Sequence, residues 1–245
     1  MAAASAADPG LTAVCLGSTG AIGLALVAEL LDSPRWSRIV LLVRRRLGDG
    51  SAAVAAAERA GRLEQVVADT SPGAAGYAPH AALLAGADAA FCTVGAPRGS
   101  VGSAAEYARV NKLLPLEAAA LCRGGGGGSG ARCRHFSLVS TVGANAASAI
   151  PYLRLKGEVE AELAALGFES LALWRPGLLA RGALASTWQR VACALLPSMP
   201  VATVARAMRV EAEAALARGA PTGAGASSSP LFNSDILARA RRGAQ

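Results

Sequence analysis

The segment PYLRLKGEVE, residues 151–160, sets Tyr152 four positions ahead of Lys156 in a stretch of helical character. Residues four apart share one face of a helix, so the phenol and the ammonium are expected side by side. A free phenol titrates near pH 10 and a neighbouring positive charge favours the phenolate, which brings such a tyrosine toward working range as a general acid. Upstream, LVST ends a strand-like run with Ser140 and Thr141, two hydroxyls suited to polarising a carbonyl oxygen. With three tyrosines and two lysines in 245 residues, a chance Y-x-x-x-K is expected at only roughly a few per cent. The chain uses 22 arginines against those two lysines, yet carries lysine where a compact ammonium with a movable pKa is wanted. The competing reading is an exposed tyrosine and lysine on an ordinary amphipathic helix.

Position decides between these readings, and position depends on the surrounding elements. Near-continuous apolar runs at 12–17, 38–43, 63–69, 87–95, 133–141 and 169–176 read as six strands. Amphipathic stretches at 20–33, 103–122, from Tyr152 onward, 186–196 and 201–218 read as helices, the second disturbed at Pro115. Buried strands alternating with helices predict an α/β fold, a doubly wound parallel sheet of Rossmann type covered on both faces. The expected organisation is a lead-in over 1–10, one dinucleotide-binding domain over 11–218, and a linker with a short strand and helix over 219–245 packed on the same domain.

At the first strand-to-helix turn stand Gly17, Ser18, Thr19, Gly20, Ala21, Ile22 and Gly23. Gly17 permits the tight turn, Gly20 lets backbone approach a pyrophosphate at the helix N-terminus, and Gly23 allows close packing of helix on strand. With 28 glycines the spacing alone is weak, but a buried strand before it and a helix after it supply the context that a dinucleotide site requires. At the end of the second strand an NAD site usually presents Asp or Glu to the ribose, whereas here Arg44 and Arg45 follow Val43. A guanidinium holds a 2′-phosphate that a carboxylate would repel, so NADP(H) is the expected cofactor. Asp69, at the end of the third strand, reads as an acceptor for the adenine amino group or as a helix cap. The glycine run at 124–130 leads into a strand rather than out of one and lacks the G-K-[ST] ending of a phosphate loop, so it reads as a surface insertion.

Composition narrows the remaining classes. Hydrophobic residues make up 53% of the chain, enough to fill a core, and no apolar run is long enough to span a bilayer without a charge. The first ten residues have neither a basic region nor an apolar core and read as a lead-in rather than a signal peptide. Five scattered cysteines without C-x-x-C indicate reduced thiols in a reducing compartment, and a cytoplasmic location is expected, with a nuclear or organelle association as the alternative. Two histidines argue against a metal site. The net charge of +7 is spread over the chain without a basic motif or aromatic strip, so nucleic acid is not an expected partner.

Taken in order, GSTGAIG, VLLVRRR, FCTVGAPRGSVGSAAEYARVN, RHFSLVST, YLRLKGEVEAEL and LWRPGLL resemble the short-chain dehydrogenase/reductase superfamily, and more closely its atypical branch typified by the Tat-interacting protein oxidoreductases. The resemblance covers residues 13–180 and extends weakly through PVATVARAM and LFNSDILA. It implies a catalytic set of Ser140, Tyr152 and Lys156. It also implies Cys92, Thr93, Val94 and Gly95 beside the adenosine, Asn111 among the cofactor residues, and Arg175, Pro176 and Gly177 near the nicotinamide. The family pattern has a second serine and then a lysine where this chain has Thr141 and Val142. The implied activity is NADP(H)-dependent reduction of a small carbonyl-type substrate. The family also has regulatory roles, which imply as the alternative an NADPH-binding adaptor with a protein partner and little turnover.

Overall fold

In the computed structural model, residues 10–48, 51–124, 132–180, 198–218 and 230–243 are described. The strands are β1 (Leu11–Leu16), β2 (Trp36–Val43), β3 (Leu63–Val67), β4 (Ala89–Cys92), β5 (His135–Val139), β6 (Ser170–Trp174), β7 (Leu179–Ala180), β8 (Met199–Pro200) and β9 (Pro230–Leu231). The helices are α1 (Ala21–Asp32), α2 (Ala52–Arg59), α3 (Ala81–Ala85), α4 (Ala104–Ala108), α5 (Leu114–Cys122), α6 (Pro151–Ala165), α7 (Val201–Arg218) and α8 (Asn233–Arg242).

Seven strands form one sheet in the order β3-β2-β1-β4-β5-β6-β9, every pair parallel. Parallel strands need a crossover between them, and the crossovers put helices on both faces, which is why β1, β2, β4 and β6 read as apolar runs rather than as alternating patterns. One core lies between the sheet and α1, α2, α7 and α8, around Leu26, Leu30, Trp36, Trp174 and Met208. The other joins the sheet to α3, α5 and α6 through Leu84, Ala118, Phe136, Val159 and Leu163. The strand order reverses between β1 and β4, which opens a crevice at their carboxyl ends.

The six expected strands are present, but most end two or three residues earlier than the apolar runs do. The overrun residues, among them Asp69, Thr93 to Gly95, Ser140, Thr141, Arg175 and Pro176, leave the sheet and line its carboxyl edge. The expected helix over 103–122 is broken into α4, a π-helical turn at Arg109–Leu113, and α5. Pro115 has no N–H and its ring crowds the carbonyl four residues back, so the chain widens for one turn before it. The pair β7–β8 forms a separate two-stranded sheet that periodicity did not signal. The expected helix over 186–196, residues 125–130 of the glycine insertion, residues 1–9 and residues 219–229 of the linker lie outside the described residues. No helix among the described residues is long and apolar enough to cross a membrane.

Candidate active site

The turn after β1 is built around absent Cβ atoms. Gly17 has φ +81°, and a Cβ there would meet the Thr93 carbonyl carbon, Thr93 Oγ1 and Val94 N, all at 2.8 Å. A Cβ on Gly23 would lie 2.2 Å from Gly17 O. Thr93 crosses the switch point: its Oγ1 donates to Leu16 O and Gly17 O at 3.0 Å each, and its N–H to Leu16 O at 2.9 Å. Ser18 is buried, its Oγ 3.4 Å from Cys15 O, and Ile22 packs in the core, so neither side chain faces the crevice. Gly20 caps α1 without any side-chain hydrogen bond to the first turn, while Thr19 and Gly20 are exposed. The first-turn N–H groups, from Ala21 onward, are thus left for an anion, the geometry in which a helix N-terminus holds a phosphate.

Arg44 and Arg45 follow β2 on the same edge, both exposed, and neither forms an ion pair with a described residue. Arg46 is spent: it pairs with Glu58 at 2.6 Å and donates to Gln65 O at 3.1 Å. Asp69 accepts from Ser71 N and Ser71 Oγ on one oxygen, at 2.9 and 2.6 Å, which holds its carboxyl below the usual carboxylate range. It caps a turn and keeps its second oxygen unused in these bonds.

On the other side of the crevice, α6 starts at Pro151, an N-terminal position that suits proline's fixed φ and missing N–H. Tyr152 is 40% exposed in the first turn and Lys156 is buried one turn further on. Burial pushes the Lys156 ammonium below the ordinary lysine range, while Cys92 and Glu160 act in the opposite direction. Cys92 is likewise buried, its thiol pushed up to about 11 by desolvation. A Cβ on Gly95 would lie 3.9 Å from Lys156 Nζ and 3.5 Å from Asn111 Oδ1, so the loop after β4, the π turn and α6 converge there. Asn111 is buried and fully engaged: its Oδ1 accepts from Ala96 N at 3.2 Å, and its Nδ2 donates to Ala96 O at 3.1 Å and Tyr107 O at 3.0 Å. It braces the Val94–Ala96 loop rather than offering a group to the crevice. Lys112, the other lysine, bridges the π turn to α6 through Glu158 at 2.7 Å and Glu162 at 2.9 Å.

The two hydroxyls after β5 differ. Ser140 is buried and its Oγ donates to Glu160 Oε1. Glu160 in turn accepts from Arg175, whose Nε lies 3.0 and 3.1 Å from its two oxygens and whose Nη2 also donates to Oε2. Thr141 is half-buried, and its hydroxyl has no hydrogen-bond partner among the described residues. Arg175 is therefore occupied by Glu160 below the turn that continues through the buried Pro176 to Gly177.

Sequence reasoning missed Glu160 and Gly157. A Cβ on Gly157 would lie 2.1 Å from Ala146 N and 2.3 Å from the Asn145 carbonyl carbon, so this glycine lets the loop after Ser140 lie directly against α6. It repeats the device of Gly23, and its signal was legible: a glycine directly after the lysine of Y-x-x-x-K. Glu160 falls four residues after Lys156, on the same helix face, which was also a readable hint. Among the described residues no group of three or more His, Cys, Asp or Glu is placed to hold a metal.

A parallel sheet of this order, with a glycine turn at its first crossover and Y-x-x-x-K on the helix after β5, defines a short-chain dehydrogenase/reductase-type Rossmann domain. Solved structures share the fold: a short-chain dehydrogenase/reductase from Saccharomyces cerevisiae superposes with a TM-score of 0.63 at 16% identity over 94% of this chain and 98% of that one. MoeE5, solved in complex with UDP-glucuronic acid and NAD, gives 0.61 at 19% identity over 90% and 75%. No family model matches the chain. Protein HTATIP2 of Rattus norvegicus is 34% identical over 209 residues, covering 79% of this chain and 77% of the relative. The chain belongs to the HTATIP2 family of atypical short-chain dehydrogenases/reductases, an NAD(P)-type oxidoreductase family. Fungal relatives named "Protein FMP52, mitochondrial" are 28% identical in Eremothecium gossypii, over 69% of this chain and 66% of the relative, and 32% in Aspergillus fumigatus, over 67% and 64%. The chain spans slightly under two thirds of these fungal proteins. Their names overturn the expectation of a cytoplasmic protein. Scattered free cysteines indicate a reducing compartment, and that property does not single out the cytoplasm.

Proposed function

We propose that the chain is an NADP(H)-dependent reductase of a small carbonyl compound. The observation that carries this reading is that the carboxyl edge of the sheet carries an uncapped glycine turn, two arginines without an ion pair among the described residues, and a buried lysine one turn from an exposed tyrosine. The cradle fits a dinucleotide: the absent Cβ atoms of Gly17 and Gly23 let backbone close on the loop, and the first turn of α1 receives the pyrophosphate. Arg44 and Arg45 hold the ribose 2′-phosphate by charge-assisted bonds. When bound, the cofactor supplies the hydride. Tyr152 gives its proton to the carbonyl oxygen as negative charge develops there, and the Lys156 ammonium stabilises the phenolate left behind. Lys156 also donates to the nicotinamide ribose. We assign the oxyanion contact to Thr141 rather than Ser140, because the Ser140 hydroxyl already donates to Glu160 Oε1. Ser140 becomes a positioning residue that ties the end of β5 to α6. Following the names of the fungal relatives, we place the protein in mitochondria.

The test is a thermal shift with NADPH and NADH, followed by NADPH oxidation over a carbonyl panel. A ligand at about 100 times its Kd adds about 2.7 kcal/mol of stability. NADPH is expected to stabilise more than NADH, and Arg44→Ala to raise the Kd for NADPH about tenfold while leaving NADH unchanged. Equal shifts for the two nucleotides would remove the role of Arg44 and Arg45. Turnover that survives Tyr152→Phe would remove Tyr152 from the mechanism, and nucleotide binding without turnover on any carbonyl would favour an adaptor role.

A further inference from the structure

Strand β9 pairs with β6 only through Leu173–Pro230 and Trp174–Leu231, and the chain then runs onto the Arg175–Gly177 turn. Arg175 N donates to Leu231 O at 2.8 Å, and Gly177 N to Asn233 Oδ1 at 3.0 Å. Phe232 stands between these anchors. Its N–H donates to Asp235 Oδ2 at 3.0 Å and its carbonyl accepts from Ile236 N at 2.9 Å, so its backbone is held on both sides. The ring packs over the Arg175 guanidinium, 5.7 Å from ring centroid to guanidinium carbon, and still leaves the residue 41% exposed.

A single apolar side chain in water is ordinary. Here Val142, Ile150 and Tyr152 are also exposed at 52%, 57% and 40%, and all belong to the loops and helix start at this carboxyl edge. Val142 N donates to Pro176 O at 3.3 Å, which ties that loop to the turn beneath Phe232. The nearby charges are already matched. Arg175 serves Glu160, Asp235 serves the Phe232 N–H and lies 4.0 Å from Arg239, and Arg154 lies 4.0 Å from Glu158. Lys156 is buried behind Tyr152. Apart from Arg44 and Arg45 after β2, which the proposed cofactor phosphate takes, the described edge thus offers apolar surface, a phenol and a hydroxyl, with no unmatched guanidinium beside Phe232 for an anion.

We propose that Phe232, carried in by the C-terminal strand, is a specificity-determining wall of the substrate site, and that the substrate is an uncharged carbonyl compound with an apolar body. This rests on the reading of the site as a carbonyl reductase and deepens it. Asn233 is a positioning residue that locks the Gly177 turn against Phe232.

The experiment loads the full chain with NADPH and titrates it calorimetrically with acetophenone and with pyruvate, in wild type, Phe232→Ala and Phe232→Leu. Acetophenone is expected to bind at least tenfold more tightly than pyruvate. Phe232→Ala should weaken acetophenone about tenfold and Phe232→Leu by less, with NADPH affinity unchanged in both. Equal or tighter binding of pyruvate, or unchanged acetophenone affinity in Phe232→Ala, would overturn the assignment. Binding of NADPH without binding of acetophenone removes this inference alone; failure to bind NADPH removes the underlying reading and this one with it.

Discussion

The two edges of the sheet are finished in opposite ways. At the amino edge polar groups close on one another: Arg62 donates to the carbonyls of Leu30, Leu31, Ser33 and Trp36, supplying the C-terminal cap that α1 lacks in its own last turn. Glu213 accepts from Trp36 Nε1 at 2.9 Å and Ser33 Oγ at 2.8 Å and is paired with Arg209. At the carboxyl edge a second buried carboxylate, Glu160, is matched as completely by Arg175 and Ser140. On the same edge, however, the first turn of α1, Arg44, Arg45, Thr141 and Tyr152 keep groups without a partner among the described residues. Closed bonding serves stability, whereas unspent donors and charges are what the proposed cofactor and substrate would take up, with the matched Glu160 pair fixing the end of β5 and the Arg175 turn.

The comparison is broken most severely by adding one methyl group to either glycine that lets backbone approach backbone at the carboxyl edge. Gly23→Ala drives its Cβ into Gly17 O, and Gly157→Ala into Ala146 N. Each is expected to cost about 4 kcal/mol, because neither partner is a side chain that can swing away. Urea unfolding measures the loss, and NADPH titration of whatever remains folded should show the Gly23→Ala site abolished. An effect under about 1 kcal/mol would mean that the helix shifts freely and that the close approach is incidental.

The matched carboxylates come next. Glu160→Ala strands the mostly buried Arg175, and Glu213→Ala leaves Arg209 to Glu29 but deprives the buried Trp36 Nε1 and Ser33 Oγ of their acceptor; each should cost about 3 kcal/mol in chemical denaturation. The two separate in function: Glu213→Ala leaves NADPH affinity and turnover per folded molecule unchanged, whereas Glu160→Ala lowers turnover by misplacing Ser140 and the Arg175 turn. Equal effects on turnover would erase the distinction between the edges.

The smallest effect comes from a group at the amino edge that is only partly matched. His135, at the start of β5, has its Nδ1 2.8 Å from Ser170 Oγ, and its Nε2 is buried without a partner. Burial holds its pKa down to about 4 from an ordinary 6.5. The unfolded chain takes up a proton as pH falls below 6.5 and the folded chain does not, so stability is full above that value and declines between 6.5 and about 4. The expected loss is about 2 kcal/mol at pH 5. The double variant His135→Leu, Ser170→Ala should flatten that part of the stability curve without altering NADPH binding at pH 7.

Local chemistry made the first half of the site legible. Gly20 and Gly23 act on atoms within a few residues of themselves, and Arg44 and Arg45 follow directly from the end of β2, so their spacing carried their meaning; Gly17 was readable as a turn glycine, but the Thr93–Val94 backbone it admits arrives only with β4. Tyr152 and Lys156 were legible for the same reason, being one helical turn apart. The role of Ser140 was not. A serine at the end of β5 looks free until α6 returns with Glu160 and β6 with Arg175, and only then is its proton committed. That the Asn111 amide braces the loop at Ala96 was not legible either, because the π turn before Pro115 is what aims it there. Phe232 showed nothing in its own neighbourhood, since its partners lie at Arg175 and its significance lies in the edge it faces.

By itself the sequence determined the parallel α/β order, the glycine turn after β1, the basic end of β2 and the Tyr-Lys pair, because apolar periodicity and short fixed spacings act within one or two turns of chain. Tertiary structure alone decided which hydroxyl is spent, which arginine is matched, and that the C-terminal segment brings an aromatic ring over Arg175 at the carboxyl edge. Those outcomes depend on groups far apart in the chain that meet only when seven strands align, and a buried charge or hydroxyl takes whichever partner that alignment presents.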